Sequence, residues 1–274
     1  MATKGTSGER AYGIDEFTSA DQKQLILEEL RIKGFAVLEG VLSPADVESY
    51  CMKIDEIYAK QEEEFGSEKL KQISDQNMAR CPLSYDESFL DLITHPKVKS
   101  IIESVLGSYY LLHLQNGIIS RPSLEHHQAA WHRDLPYQTF VSSKPLAVNA
   151  YYCLCDYTPE TGATMLLPHS HCIEDIPSLE YLNKHGVTAE APAGSVVFFD
   201  SMCFHRAGLN CSPIVRRGIN QVYTAGIIKQ QIQLSQTLKS EYADDPYLAM
   251  LLGYASDAAT SVDDWRDRRL AKVN

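Results

Sequence analysis

The hydrophobic period of the chain changes near residue 109. Beyond it, apolar residues come in short runs rich in β-branched and aromatic side chains: "YYLLHLQNGIISRP", "PLAVNAYYCLCDYT", "GATMLLPHSH", "VTAEAPAGSVVFFD" and "GINQVYTAGIIK". Gly, Pro and Asn separate the runs, and regular short strands with such turns predict an all-β barrel or sandwich over about 110–230. Upstream, the spacing is helical. "TSADQKQLILEELRIKGF" predicts a helix with Leu25, Ile26, Leu30 and Ile32 as apolar positions and Gly34 as its stop. "GFAVLEGVL" follows as a strand. "SPADVESYCMKIDEIYAK" then opens a helix, with Ser43 as N-cap, Pro44 in the first turn, and Val47, Tyr50, Ile54 and Ile57 on one face. The charged residues 62–75 predict a solvated face or loop, and "DESFLDLITHPKVKSIIESVLG" predicts two short helices broken at Pro96. After 230 the pattern is helical and acidic again. With no internal repeat or linker, residues 1–274 predict a single domain: a β core with helices packed from both ends. The helix around "DDPYLAMLLGY" either caps that core or pairs subunits, as in a homodimer.

Charge narrows the partners. The formal net charge is −11, and an acidic surface opposes phosphate backbones and anionic membranes, so neither nucleic acid nor a membrane is expected. There is no apolar run of about 18 residues or more, and "MATKGTSGERAYG" lacks the apolar stretch of a secretory signal. The seven cysteines are odd in number and suggest no disulfide framework, which fits a reducing cytoplasm. Cys153 and Cys155 form a C-x-C in an apolar run, read first as buried thiols and second as a soft-metal pair.

The candidate chemistry starts at "WHRDLPY". His132 and Asp134 are two apart, the period of a strand, so both side chains point to one side. Alone, the pair is as readily a strand-end ion pair as a metal grip. A third ligand is available in His205, which follows the apolar strand of "VVFFDSMCFHRAGLN" at a strand–turn junction. Two histidines and a carboxylate form a facial triad that leaves about three adjacent positions of a six-coordinate Fe(II) for a chelating cosubstrate and O2. Eleven residues on, "CSPIVRRGINQVY" places Arg216 and Arg217 at a strand start. Only one can face inward, where a guanidinium would grip a carboxylate with two hydrogen bonds. Spacing alone does not choose between them.

Taken in order, "WHRD", "CDYTPETGATMLLPHSH" and "FFDSMCFHRAGLNCSPIVRRGINQVYTAG" resemble the phytanoyl-CoA dioxygenase family of Fe(II)/2-oxoglutarate-dependent oxygenases, and "GFAVLEGVLSPADVESY" is similar to that family's opening strand and helix. The resemblance spans roughly residues 20–228. It implies a double-stranded β-helix, a cupin-like jelly roll. It implies His132, Asp134 and His205 as iron ligands and Arg216 as the partner of the far carboxylate of 2-oxoglutarate. Thr164 and Gln115 match positions that contact the cosubstrate. The activity implied is oxidation, foremost hydroxylation, of a small-molecule metabolite or natural product, using Fe(II), 2-oxoglutarate and O2 and releasing succinate and CO2. A reading of another class, a barrel that binds metal or a small acid without turnover, would be favoured by a missing ligand.

The chain departs from the family pattern in places. "PHSH" stands where Pro-Gly-Ser-His is usual, so His169 replaces a turn glycine; Ala129 stands where Gln is common, with Gln128 one earlier. Asp134 itself is present, unlike in halogenating relatives. His126, His127, His169 and His171 read as turn and surface residues, with the substrate entrance as the alternative. Trp131 and Tyr137 flank the ligands as substrate wall or core.

Overall fold

The computed structural model describes residues 7–11, 14–17, 21–124, 127–135, 138–271 and 273, with residues before 21 and His127 described at the backbone only. A short hairpin, β1 (Ser7–Ala11) and β2 (Ile14–Phe17), precedes α1 (Gln22–Lys33). Asp21 caps α1 by accepting from the Gln24 amide, and Gly34, at φ 88°, ends it in the left-handed region that glycine enters without penalty. Of the four apolar positions expected on this helix only Ile26 and Leu30 are buried; Leu25 and Ile32 face solvent. β3 (Phe35–Leu38) leads to α2 (Pro44–Phe65), opened by a reciprocal capping box between Ser43 and Asp46. The helix runs on through the charged residues to Phe65, and α3 (Ser67–Gln72) follows. Of the two readings of 62–75, the solvated face holds: the stretch is largely helix with its charges on the outer side, while Tyr58 just before it and Leu70 within it hold the inner one. Next come β4 (Met78–Arg80), then α4 (Phe89–Ile93) and α5 (Pro96–Leu106), broken at Pro96 as the sequence predicts.

The β core comprises β5 (Tyr110–Ser120), β6 (Ala147–Cys153), β7 (Met165–Leu166), then, after α6 (Leu179–His185), β8 (Val187–Thr188), β9 (Val196–Asp200), β10 (His205–Arg206) and β11 (Arg216–Ala225). Six strands pair antiparallel in the order β3-β9-β6-β11-β5-β4, and three in the order β10-β7-β8. The two sheets face each other as an open jelly roll and do not close into a barrel. The last helices are α7 (Leu234–Thr237), α8 (Pro246–Leu251) and α9 (Val262–Leu270). Among the described residues no helix is long and apolar enough to cross a membrane.

Alternation assigns the faces of the six-stranded sheet. Tyr152, Phe198, Ile219 and Tyr223 point into one core with Ile26, Ile54, Val98 and Ile102 from the helices. Leu251 and Leu252 join that core, and the Tyr247 hydroxyl lies 2.9 Å from that of Tyr110, so α8 caps its own sheet. The opposite face, with Ile118, Tyr151, Cys153, Val197 and Phe199, looks toward the small sheet. The cysteines described are free. Cys153 is fully enclosed, and burial pushes its thiol far above the usual range, which fits the packed-thiol reading of the C-x-C.

Candidate active site

The first site residues sit where the chain leaves one sheet for the other. His132 and His205 are paired as an antiparallel bridge, each amide donating to the other's carbonyl at 2.9 and 3.0 Å. Two residues on, the Asp134 amide donates to the Ser201 carbonyl at 3.1 Å. This backbone stitching brings the three side chains to one point. The donor atoms of His132, Asp134 and His205 all lie within 4.8 Å of one another. His205 Nε2 is 3.5 Å, and His132 Nε2 3.8 Å, from Asp134 Oδ1.

The rings are oriented from behind. His132 Nδ1 is 2.8 Å from the Ala130 carbonyl and His205 Nδ1 is 2.9 Å from the Cys203 carbonyl. Each Nδ1–H donates there, which leaves both Nε2 atoms as acceptors aimed at the shared point. Phe199 packs on the His205 ring, with centroids 4.9 Å apart. Burial works to raise the Asp134 carboxyl, but His205 foremost, with His132 and the Asn149 amide, holds it down at about 2. Burial works to lower His205, and Asp134 more than offsets it, so its ring is raised. The set is one charged oxygen and two imidazole nitrogens on one side of a point, the donor chemistry of a two-histidine, one-carboxylate iron site.

Asn149 was not visible in the sequence as a site residue. Its amide donates to Asp134 Oδ2 at 2.5 Å and to Asn220 Oδ1 at 3.1 Å, and its own oxygen accepts from the Ser201 hydroxyl. Oδ2 is thereby occupied and Oδ1 is turned to the histidines. Replacing Asn149 by Ala frees the carboxylate to rotate. The expected result is a roughly 10- to 100-fold higher Fe(II) requirement, with stability lowered by about 1–3 kcal/mol because the buried Asp134, Ser201 and Asn220 groups lose a partner, read from metal titrations of activity and a thermal melt.

Arg216 opens β11 on the same face. It is 2% exposed, its guanidinium lies 5.0 Å from the Tyr157 ring centroid, and its Nε and Nη1 have no hydrogen-bond partner. Gly218 permits this packing, because a Cβ there would lie 2.4 Å from both Tyr151 Cε1 and the Tyr157 hydroxyl. Arg217 points the other way and forms a two-pronged pair with Asp55 at 2.9 and 2.6 Å. The choice left open by spacing is thus made by alternation: Arg216 faces in.

One cavity is lined by His132, Asp134, Thr164, His205, Arg216 and Asn220 among others. Gln115 is a correction. Its amide oxygen accepts from the Leu83 amide at 3.1 Å and its nitrogen donates to the Phe89 carbonyl at 3.2 Å, so it faces the helical layer and not the cavity. Gln115→Ala should therefore lower stability by about 1–3 kcal/mol, the cost of two buried backbone groups losing their partner, and leave cosubstrate affinity unchanged; thermal melts and saturation curves read the two effects.

The histidine cluster separates. His169 adopts φ 64°, the left-handed turn a glycine would take, and its Nδ1 reaches the Ile32 carbonyl while His171 Nε2 reaches that of Arg31. Both rings thus cap the C-terminal carbonyls of α1. His126 and Tyr137 lie outside the described residues, as does the side chain of His127. Trp131 packs against Leu167, Leu182 and Phe204, the core alternative of the two readings.

The sequence profile of the family described as phytanoyl-CoA dioxygenase (PhyH) matches residues 30–218. Protein Rv1501 of Mycobacterium tuberculosis is 34% identical over 272 residues, spanning 94% of this chain and 96% of that protein. Dioxygenase af480 of Aspergillus fumigatus is 30% identical over 71% of this chain and 64% of its own length, and the ectoine dioxygenase of Nocardia farcinica 24% over 70% and 74%. Among solved structures, the epimerase SnoN in complex with Fe3+, alpha ketoglutarate and nogalamycin RO superposes with a TM-score of 0.60 at 21% identity, covering 82% of this chain and 90% of that one.

Proposed function

The chain belongs to the phytanoyl-CoA dioxygenase family, and as such is an oxidoreductase; from its site we propose a non-haem Fe(II)/2-oxoglutarate-dependent dioxygenase that hydroxylates a small-molecule metabolite or natural product, releasing succinate and CO2. The observation that carries the reading is one cavity holding both a three-donor metal grip and a buried arginine with unpartnered nitrogens. A guanidinium enclosed with two of its nitrogens lacking a hydrogen-bond partner is costly, and a dicarboxylic acid chelated at the metal end would place its far carboxylate where that cost is removed. The ligand set is complete, which argues against the non-catalytic reading.

His132, Asp134 and His205 would hold the iron. When bound with the 2-oxo acid and O2, that centre supplies the oxidising power that attacks an unactivated C–H bond. The protein's own contribution is position and exclusion. Asn149 holds Asp134 so that one oxygen faces the metal point. The Ala130 and Cys203 carbonyls fix the imidazole tautomers. Arg216 orients the cosubstrate, and Thr164 lies along its path. Phe199 and Ile118 provide an apolar wall that keeps water from the reacting centre. The small-molecule substrate is supported by the names of relatives: an ectoine dioxygenase and an epimerase complexed with nogalamycin RO.

The test is succinate formation from 2-oxoglutarate with Fe(II) and ascorbate, in air and without oxygen, across a metabolite panel scored by mass. Oxygen-dependent succinate coupled to one compound gaining one oxygen atom is the expected result. No succinate in any condition, with no 2-oxoglutarate binding, would sink it.

A further inference from the structure

The small sheet has a second face, turned away from the metal. His205 and Arg206 are consecutive residues of β10 and project to opposite sides. Arg206 pairs across to Met165, and Met165 to Thr188. These three share the outer face and, with Pro159, Ala163 and Leu209, line a cavity of about 770 Å³. Sites for small molecules run to about 300–1,000 Å³. Arg206 and Ala207 form a wall that this cavity has in common with the metal cavity.

The guanidinium in that wall is unspent. Its Nε is enclosed without a hydrogen-bond partner, and its Nη2 meets only the Met165 thioether, a weak acceptor, at 3.3 Å. Among the described residues no carboxylate pairs with it. The guanidinium lies 5.4 Å from the Trp131 ring centroid, and a ring face holds a cation without neutralising it. Arg133, over the Phe204 ring on the same face, is the contrast: its nitrogens donate to the carbonyls of Met202, Ser170, Ile173 and Glu174. In a chain of net charge −11, a cation left without an acid at the wall of a cavity is a receptor for an anion. Arg206 is the one charged residue among the described residues that line the cavity, and the rest are neutral and mostly apolar. One cation matches one negative charge, which fits a monoanion with an apolar body and not a polyphosphate.

We propose that the outer face of the small sheet carries a ligand site for a small carboxylic acid with an apolar body, its carboxylate held by Arg206. The site is separate from the Arg216 cation, which opens β11 on the facing sheet, and it stands independently of the 2-oxoglutarate reading.

The experiment uses a reporter already in place. The chain has two tryptophans, Trp131 and Trp265, so Trp265→Phe leaves the Trp131 emission to report on Arg206 beside it. That protein is titrated with phenylacetate and hexanoate, and with phenylacetamide and hexanamide, which keep the apolar bodies without the charge. The expected result is a saturable change in emission with at least one acid, its amide binding at least roughly tenfold more weakly. Adding Arg206→Gln should abolish the response, and adding Arg216→Ala should leave it. If Arg206→Gln does not melt cooperatively, Arg206→Lys carries the test: an ammonium keeps the charge without the planar fork, and the same acid should bind roughly tenfold more weakly. No saturable response to either acid would overturn the proposal. So would equal responses to acid and amide, a response that survives Arg206→Gln or is unweakened in Arg206→Lys, or one that disappears in Arg216→Ala.

Discussion

Asp134→Ala should abolish turnover, lowering succinate release by at least about a thousandfold, while the protein still melts cooperatively. The carboxylate supplies the only formal negative charge among the three convergent donors. Without it, two neutral imidazoles face a divalent cation, and several kcal/mol of metal affinity and charge stabilisation go with it; about 4 kcal/mol is already a thousandfold. The fold should survive because the backbone bonds that place this segment, including the Asp134 amide to the Ser201 carbonyl and the paired amides of His132 and His205, do not use the side chain. The residual structural cost is the Asn149 amide, which loses one acceptor but keeps Asn220. Metal content after dialysis, succinate yield and a thermal melt measure the three quantities. Undiminished turnover without added ligand would remove Asp134 from the metal site.

Which parts of this site could be read from the chain follows from where local period carries information. His132 and Asp134 share a side because two residues is a strand period, and the Arg216 and Arg217 pair had to split for the same reason. Gln115 was misplaced because β5 is buried on both faces: nearly every position from Tyr110 to Ser120 is enclosed. A strand covered on both sides shows no polar–apolar alternation, so Gln115 and Asn116 cannot be told apart by pattern. Asn149 was silent for another reason: it matters only through partners far along the chain, Asp134 and Asn220. In the helices, Leu25 and Ile32 fit the apolar spacing of α1 yet face solvent, because the stripe that meets the core is only as wide as Ile26 and Leu30. The charged stretch 62–75 left a solvated helix face and a loop equally open, because its charges leave Leu70 as its one buried apolar contact and so no stripe to read.

Arg216→Ala should raise the 2-oxoglutarate concentration for half-maximal rate by a hundredfold or more, about 3 kcal/mol, and Arg217→Ala should leave it within about threefold. The two residues are adjacent and chemically identical, so the contrast isolates orientation. Arg216 is enclosed, with nitrogens that no protein group accepts from. A two-pronged, charge-assisted contact made there is worth roughly 1.5–3 kcal/mol per hydrogen bond. Arg217 already spends its fork on Asp55, partly in solvent, and that exposed pair contributes at most about 1 kcal/mol to stability. Stability without ligand separates the pair further. Removing Arg216 takes away a buried, uncompensated charge, so the unliganded melting temperature should hold or rise. The stabilisation that the unmodified protein gains from added metal and 2-oxoglutarate should disappear, since it depends on binding to the native state alone. Arg216→Lys should fall between, because an ammonium restores the charge without the planar fork. Saturation curves and paired melts with and without cosubstrate measure all five effects. If Arg217→Ala raised the requirement more than Arg216→Ala, the inward-facing cation would have no part in holding the diacid.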